Sequence, residues 1–204
     1  MIEVTEKGRK ITGYTIIVLM IIFGLVYHFV LQPKYRYNES AKLIAEEKYD
    51  EALYMLEFLD EDEEIIKRKY DCYYNIGYTA FVDGDFEVSV DNLSKVPNDY
   101  NAQGYLDAAS TMLTFQGKWT SKEDNLEIAG WEVKYYDLDG ISIKNLPIDN
   151  VSLNVNTDNP VESTFKDSEG KALYNINEDG LLVVTKEDKE IKYLPNNFTK
   201  TQTE

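Results

Sequence analysis

The chain of 204 residues has one cysteine and one histidine. Cys72 alone leaves no intrachain disulfide and no cysteine zinc site, and it suits a reducing cytosol or an exported protein equally. His28 stands within an apolar run. With both residue types so scarce, the common nucleophile–base pairs and metal-ligand sets are missing, which argues against an enzyme and against any cofactor or metal. A basic surface is lacking too. The net charge is −16, with +1 on residues 1–10, −10 on 34–117 and −7 on 118–204. Nucleic acid is therefore excluded as a partner, and the acidic part should stand off anionic lipid heads.

What the sequence does have, first, is an uncharged run over residues 11–31, "ITGYTIIVLMIIFGLVYHFVL". At about 1.5 Å per residue a helix of this length covers roughly 30 Å, the hydrocarbon thickness of a bilayer. The run ends in "VYHFVLQPKYRY", bulky and aromatic, without the small residues of a cleavage site. An uncleaved single span is expected, with Tyr14, Tyr27, Phe29, Tyr35 and Tyr37 near its ends and His28 neutral at the interface. Lys7, Arg9 and Lys10 before the run balance Lys34, Arg36 and Lys42 after it. The compactness of the first group favours a signal-anchor, with the N-terminus cytoplasmic and residues 35–204 extracytoplasmic.

Second comes "NIGYTAFVDGDFEVSVDNLSKVP", with Asp83, Asp85 and Glu87 around Gly84. A calcium loop starting at Asp83 would need glycine at its sixth position and glutamate at its twelfth; Val88 and Ser94 stand there. A helical hairpin accounts for the segment better. Tyr73, Ile76, Gly77 and Ala80 make one apolar face, and Phe86, Val90, Leu93 and Val96 make the next. Gly84 supplies the turn, Asp85 the cap, and Gly77 a small surface for a close neighbour.

"KYDEALYMLEFL" upstream aligns with "GDFEVSVDNLSKV" at an offset of 37, matching Tyr49 to Phe86 and Ala52 to Ser89. This pattern resembles the tetratricopeptide repeat, whose period is about 34 residues and whose second helix opens on an aromatic followed by a small residue. The acidic stretch "DEDEEIIKRK" would take up the difference as a link. "ESAKLIAEE" would be the preceding helix, joined to the span by the short linker "QPKYRYN". "DYNAQGYLDAASTML" would be a further helix, capping the array and contacting the next domain. The resemblance covers about residues 36–115. It implies a peptide clamp, for which Tyr70, Tyr73, Tyr74, Tyr78 and Tyr105 are the candidate partner-binding residues. Plain helix packing is the alternative role for these tyrosines.

Third, beyond Leu113 the period changes from 3.6 to 2. "GWEVKYYD", "GISIKNL", "NVSLNV", "KALYNIN", "GLLVVTK" and "KEIKYLP" are separated by "DLDG", "DSEG" and "NEDG". These are short strands joined by hairpin turns, as in an antiparallel sandwich or small barrel. Trp119 and Trp131 are expected in its core. Asp137, Asp139, Glu178 and Asp179 read as turn residues rather than calcium ligands. "GKW" at its start loosely resembles the opening strand of lipocalin-like domains, from which no ligand cavity is carried over.

The expected fold class is an α+β multidomain chain: tail 1–10, transmembrane helix 11–31, tetratricopeptide-like solenoid 35–116, antiparallel β domain 117–196, frayed tail 197–204. Its expected function is a membrane-anchored, non-enzymatic interaction protein that holds a partner protein or assembles a membrane complex. In the alternative, the β domain binds a small apolar ligand or envelope component and the repeats are a spacer. A wide apolar cavity is the signature of that alternative.

Overall fold

A computed structural model describes residues 6–152 and 164–196. The end of the "NVSLNV" segment and the tail at 197–204 lie outside the described residues. The chain divides into two compact units, Met1–Cys72 and Tyr73–Glu204.

In the first unit, helix α1 (Glu6–Val26) passes through a π-helical turn (Tyr27–Leu31) into α2 (Gln32–Ala45). The stretch Tyr14–Ala45 is a helix long and apolar enough to cross a membrane, and its most apolar window is wholly exposed. The linker expected at "QPKYRYN" is therefore helical. Pro33 sits in the first turn of α2, where a missing N–H is tolerated. The π-turn just before it spans the carbonyl of Phe29, which the ring of Pro33 would otherwise meet. His28 lies in that turn, its Nδ1 3.2 Å from Gln32 Oε1.

Helix α3 (Tyr49–Leu56) folds back on α2. Leu43, Ala52, Leu56, Ile65 and Cys72 form the core of this unit, with Tyr49 half-buried beside them. Helix α4 (Glu63–Asp83) contributes its first half. Its start corrects the expected link: "DEDEEIIKRK" is mostly helix. The Asp62 carboxylate accepts from Ile65 N–H at 2.8 Å. Glu63 and Glu64 occupy the positive end of the helix dipole, and Glu64–Arg68 and Lys67–Asp71 pair at i,i+4. An acidic run with these partners is a helix start. Tyr37 donates to Glu64, and the Arg68 guanidinium lies 4.1 Å from the Tyr37 ring centroid.

In the second unit, the rest of α4 turns at Gly84 into α5 (Phe86–Leu93), followed by a 3₁₀ turn (Asn98–Tyr100) and α6 (Gln103–Phe115). The Asp85 carboxylate accepts from Val88 N–H at 3.2 Å. Gly77 faces Leu93 so closely that a Cβ would lie 2.7 Å from its Cγ. The two eight-residue helices α3 and α5 begin at the aligned aromatics Tyr49 and Phe86, and Ala52 and Ser89 are both fully buried. The helices before them differ, 14 residues in α2 against 21 in α4. The helical region is thus not a run of equal repeat hairpins.

Eight antiparallel strands follow: β1 (Gly117–Thr120), β2 (Asn125–Ala129), β3 (Glu132–Tyr136), β4 (Ser142–Ser152), β5 (Thr164–Asp167), β6 (Ala172–Ile176), β7 (Leu182–Lys186) and β8 (Lys189–Pro195). Each pairs with the next, and β8 returns to β1 through Trp119↔Pro195 and Thr120↔Leu194, closing an up-and-down barrel. The period-2 pattern sends Leu126, Ile128, Val133, Tyr135, Phe165, Tyr174, Val184 and Tyr193 to a common core.

Helical residues join that core. Phe86, Ala109, Met112 and Phe115 are buried in it, and Trp119 Nε1 donates to Phe115 O at 2.9 Å. Trp131 is half-buried and faces the helices: Nε1 donates to Phe81 O at 2.8 Å, and its ring meets Phe86 edge-on at 4.8 Å. The α4–α5 turn and the β2–β3 turn touch backbone to backbone, since a Cβ on Gly84 would lie 2.8 Å from Gly130 Cα. Gln116 fastens the same place, accepting from Gly130 N–H at 2.7 Å.

Candidate functional site

The connections β1–β2, β3–β4, β5–β6 and β7–β8 all fall at one end of the up-and-down barrel, opposite the β2–β3 turn that meets the helices. At this mouth is a pocket of about 160 Å³, lined by the carboxylates of Asp124, Asp167 and Glu169, the ammonium groups of Lys144, Lys171 and Lys186, the phenols of Tyr135 and Tyr193, and the apolar Ile143, Ala172, Val184 and Ile191. The neighbouring interior is filled by side chains rather than hollow. Phe165 stacks on Tyr174 at 4.4 Å and meets Phe115 edge-on at 5.0 Å.

Alternation places the polar groups. On β5, Phe165 and Asp167 point inward while Lys166 is exposed; on β6, Ala172 and Tyr174 do the same. Asp167 is therefore carried inside by the same register that buries Phe165, and is 2% exposed. Tyr174 donates to Asp167 Oδ2 at 3.0 Å. Its single proton being committed there, Tyr135 is the donor of the 2.5 Å contact between the two phenols. Tyr193 donates to Asp124 Oδ1 at 2.7 Å, and Ser121 Oγ to the same oxygen at 3.1 Å. Asp167 Oδ1 is buried and has no partner in the protein.

Burial pushes the Tyr135 phenol up to about 12. Tyr174 and Tyr193 are driven up further, first by burial and then by the phenol and carboxylates beside them. All three keep their protons at neutral pH and serve as fixed donors. Lys144 lies 4.8 Å from the Tyr135 ring centroid and 4.0 Å from Glu169.

A larger groove of about 410 Å³ runs beside Lys118, Thr120, Glu127 and Tyr136. There Tyr136 donates to Glu127 Oε2 at 3.0 Å, and among the described residues its lining has no buried side-chain polar atom without a partner. The mouth has the stronger claim to a ligand because a buried acceptor there is unanswered.

The tyrosines singled out in the sequence are distributed as follows. Tyr74 and Tyr78 stack at 6.2 Å, Tyr78 meets Tyr105 edge-on at 5.0 Å, and Tyr100 joins at 6.4 Å from Tyr74. Tyr73 packs with Leu93, Val96 and Ala102. Tyr70 is half-buried on the part of α4 that belongs to the first unit. Tyr78 is 38% exposed. The turn acids do backbone work: Asp137 Oδ1 accepts from Asp139 N–H and Ile141 N–H at 3.0 and 2.7 Å. Among the described residues no three His, Cys, Asp or Glu side chains converge as metal ligands.

Asp167 and Asp124 had no sequence signal beyond turn composition; a period-2 count from Phe165 would have placed Asp167 inside. The chain matches no protein-family model, no curated protein and no solved structure in comparisons with each.

Proposed function

We propose that this chain is a membrane-anchored binding protein without catalytic chemistry, and that the β-barrel is its recognition domain. The helices between the apolar helix and the barrel serve as its spacer, with the N-terminus cytoplasmic and the barrel extracytoplasmic. The observation that carries the reading is the mouth pocket, where a buried carboxylate oxygen lacks a donor. A native fold rarely leaves such a group unanswered unless something outside the chain answers it. Its lining sets carboxylates, phenols and the ammonium groups of Lys144, Lys171 and Lys186 among the apolar Ile143, Ala172, Val184 and Ile191, so the ligand is a small molecule, or the tip of an envelope component, that carries both a polar group and apolar surface. The pocket holds phenols kept protonated, carboxylates and lysines, but no thiol or imidazole, which favours binding over catalysis.

The test is a melting-temperature screen of the full chain in nanodiscs against small cationic, anionic, neutral polar and apolar compounds, with amide-shift mapping of any hit. At least one class should stabilise the chain and perturb barrel residues. Stabilisation by no class would overturn the reading.

A second reading rests on the contiguous rings of Tyr74, Tyr78, Tyr100 and Tyr105. In it, a partner protein docks on a tetratricopeptide-like helical face. A folded Tyr74→Ala, Tyr78→Ala double variant that keeps every partner of the parent would end that reading.

A further inference from the structure

We propose that the link between α3 and α4 is a second membrane contact, in which Phe58 and Tyr54 seat in the headgroup layer of a zwitterionic bilayer. The proposal rests on the apolar helix crossing the membrane and adds where the first unit touches lipid. Phe58 is 49% and Tyr54 60% exposed, and their rings meet edge-on at 5.1 Å. Their height follows from α2. The uncharged run ends at Leu31, and Arg36 stands five residues further along the same helix, about 7.5 Å at 1.5 Å per residue. The headgroup layer of one leaflet is about 5–8 Å deep. Side chains on a helix lean toward its N-terminus, here toward the lipid, so the Arg36 guanidinium falls within that layer. It lies 4.1 Å from the centroid of the Phe58 ring, which is therefore at the same depth. The far side of the link is tied to the same level, since Tyr37 donates to Glu64 and Arg68 stacks on the Tyr37 ring at 4.1 Å. Helix α2 leaves the bilayer, α3 returns to it and α4 leaves again. The link is thus the membrane-facing end of this unit, and the turn at Glu46, Glu47 and Lys48 is the distant one.

Aromatic rings favour this layer, which is apolar on one side and hydrated on the other. Charge decides the lipid. Glu61 pairs with Lys69, Glu64 with Arg68, and Asp62 caps α4. Glu57, Asp60 and Glu63 then outnumber Lys34 and Arg36 at this end of the unit. Anionic headgroups are repelled by that excess. A zwitterionic headgroup offers its phosphate to Arg36 and its cationic end to the acids. A protein partner on the same rings would have to displace the lipid that the span already brings to them.

The experiment adds one tryptophan at a time to the full chain in phosphatidylcholine nanodiscs and subtracts the emission of the parent, which has Trp119 and Trp131. The variants are Phe23→Trp in the span, Phe58→Trp in the link and Glu46→Trp at the distant turn, with Tyr54→Trp as a second link variant should Phe58→Trp fail to fold. Two quenchers are used, lipid brominated on the upper acyl chain and aqueous iodide. The link tryptophan should emit to the blue, be quenched by the brominated lipid and be shielded from iodide. The Glu46→Trp signal should behave in the opposite way. Adding phosphatidylglycerol at low salt, where charge is little screened, should weaken the lipid quenching of the link and leave that of Phe23→Trp unchanged. The proposal is overturned if the link tryptophan is open to iodide and untouched by brominated lipid while Phe23→Trp is quenched by it, or if Glu46→Trp is quenched by lipid as strongly as the link. Stronger lipid quenching of the link with phosphatidylglycerol would overturn the zwitterionic assignment. Should Phe23→Trp also escape the brominated lipid, the membrane-anchored reading falls together with the proposal.

Discussion

Gly84 and Gly140 show how one residue type carries different loads. Both have positive φ, +80° and +83°, a conformation costing other residues about 1–2 kcal/mol. A Cβ at Gly140 meets nothing within 4 Å, whereas one at Gly84 lies 2.8 Å from Gly130 Cα. Gly140→Ala should therefore cost about 1 kcal/mol and Gly84→Ala at least twice that, read by chemical denaturation of each variant; equal losses would contradict the backbone contact. The buried phenols make a second prediction. Tyr135 is raised to about 12 from an unfolded value of about 10. The folded state thus holds its proton after the unfolded state has released it, and stability falls as pH rises through that window. Tyr135 alone should remove roughly 2–3 kcal/mol once pH passes about 12. Tyr174 and Tyr193, shifted the same way, should steepen the fall. Alkaline melting curves should lose slope in Tyr135→Phe. At this scale the turn glycine and the cap at Asp85 were legible, because backbone geometry ties them to residue type. Asp167 was not. "DSEG" reads as a turn, and only the strand register shows that its first residue points inward.

The elements repeat that contrast. Alternation made the strands readable, and their even spacing left few options besides a sandwich or a barrel. Closure was not readable, since it depends on β8 pairing with β1 through Trp119↔Pro195 and Thr120↔Leu194, from opposite ends of the domain. The length of α4 escaped for a local reason: a run of acids looks like a linker until Asp62, Arg68 and Asp71 are seen to cap and brace it. Helix α6 read as a cap with an apolar face, and that face proves to be part of the barrel's own core. Met112 is fully buried there, whereas its neighbour Leu113 is 39% exposed. Met112→Ala should cost about 2–5 kcal/mol and Leu113→Ala under about 1. Because Trp119 bonds to Phe115 on the same helix, the Met112 loss should appear in tryptophan fluorescence as well as in helical signal. If the two variants lose equally, α6 does not close the barrel.

At the scale of the whole molecule, the asymmetry lies between an uncharged apolar helix and an acidic remainder. Residues 11–31 have no charge while residues 34–204 sum to −17, so lipid attraction resides in one short segment and the rest is repelled by anionic headgroups. Side chains from Tyr14 to Val30 are exposed, among them Leu19, Ile22 and Phe23. No protein surface buries them within the described chain, and a bilayer is the solvent that would. Replacing Leu19 and Ile22 together by arginine puts two charges near the centre of the apolar run. Each costs roughly 2.5–3.5 kcal/mol on insertion scales, and the pair removes most of the preference for the bilayer. Flotation of the expressed chain with membranes should place the parent in the lipid fraction even after alkaline carbonate. The double variant should move to the soluble or aggregated fraction, and a paired Leu19→Phe, Ile22→Val control should float like the parent. If the arginine pair still floats, the chain is held at the membrane by something other than this helix, and the spacer role assigned to the helices after it loses its basis.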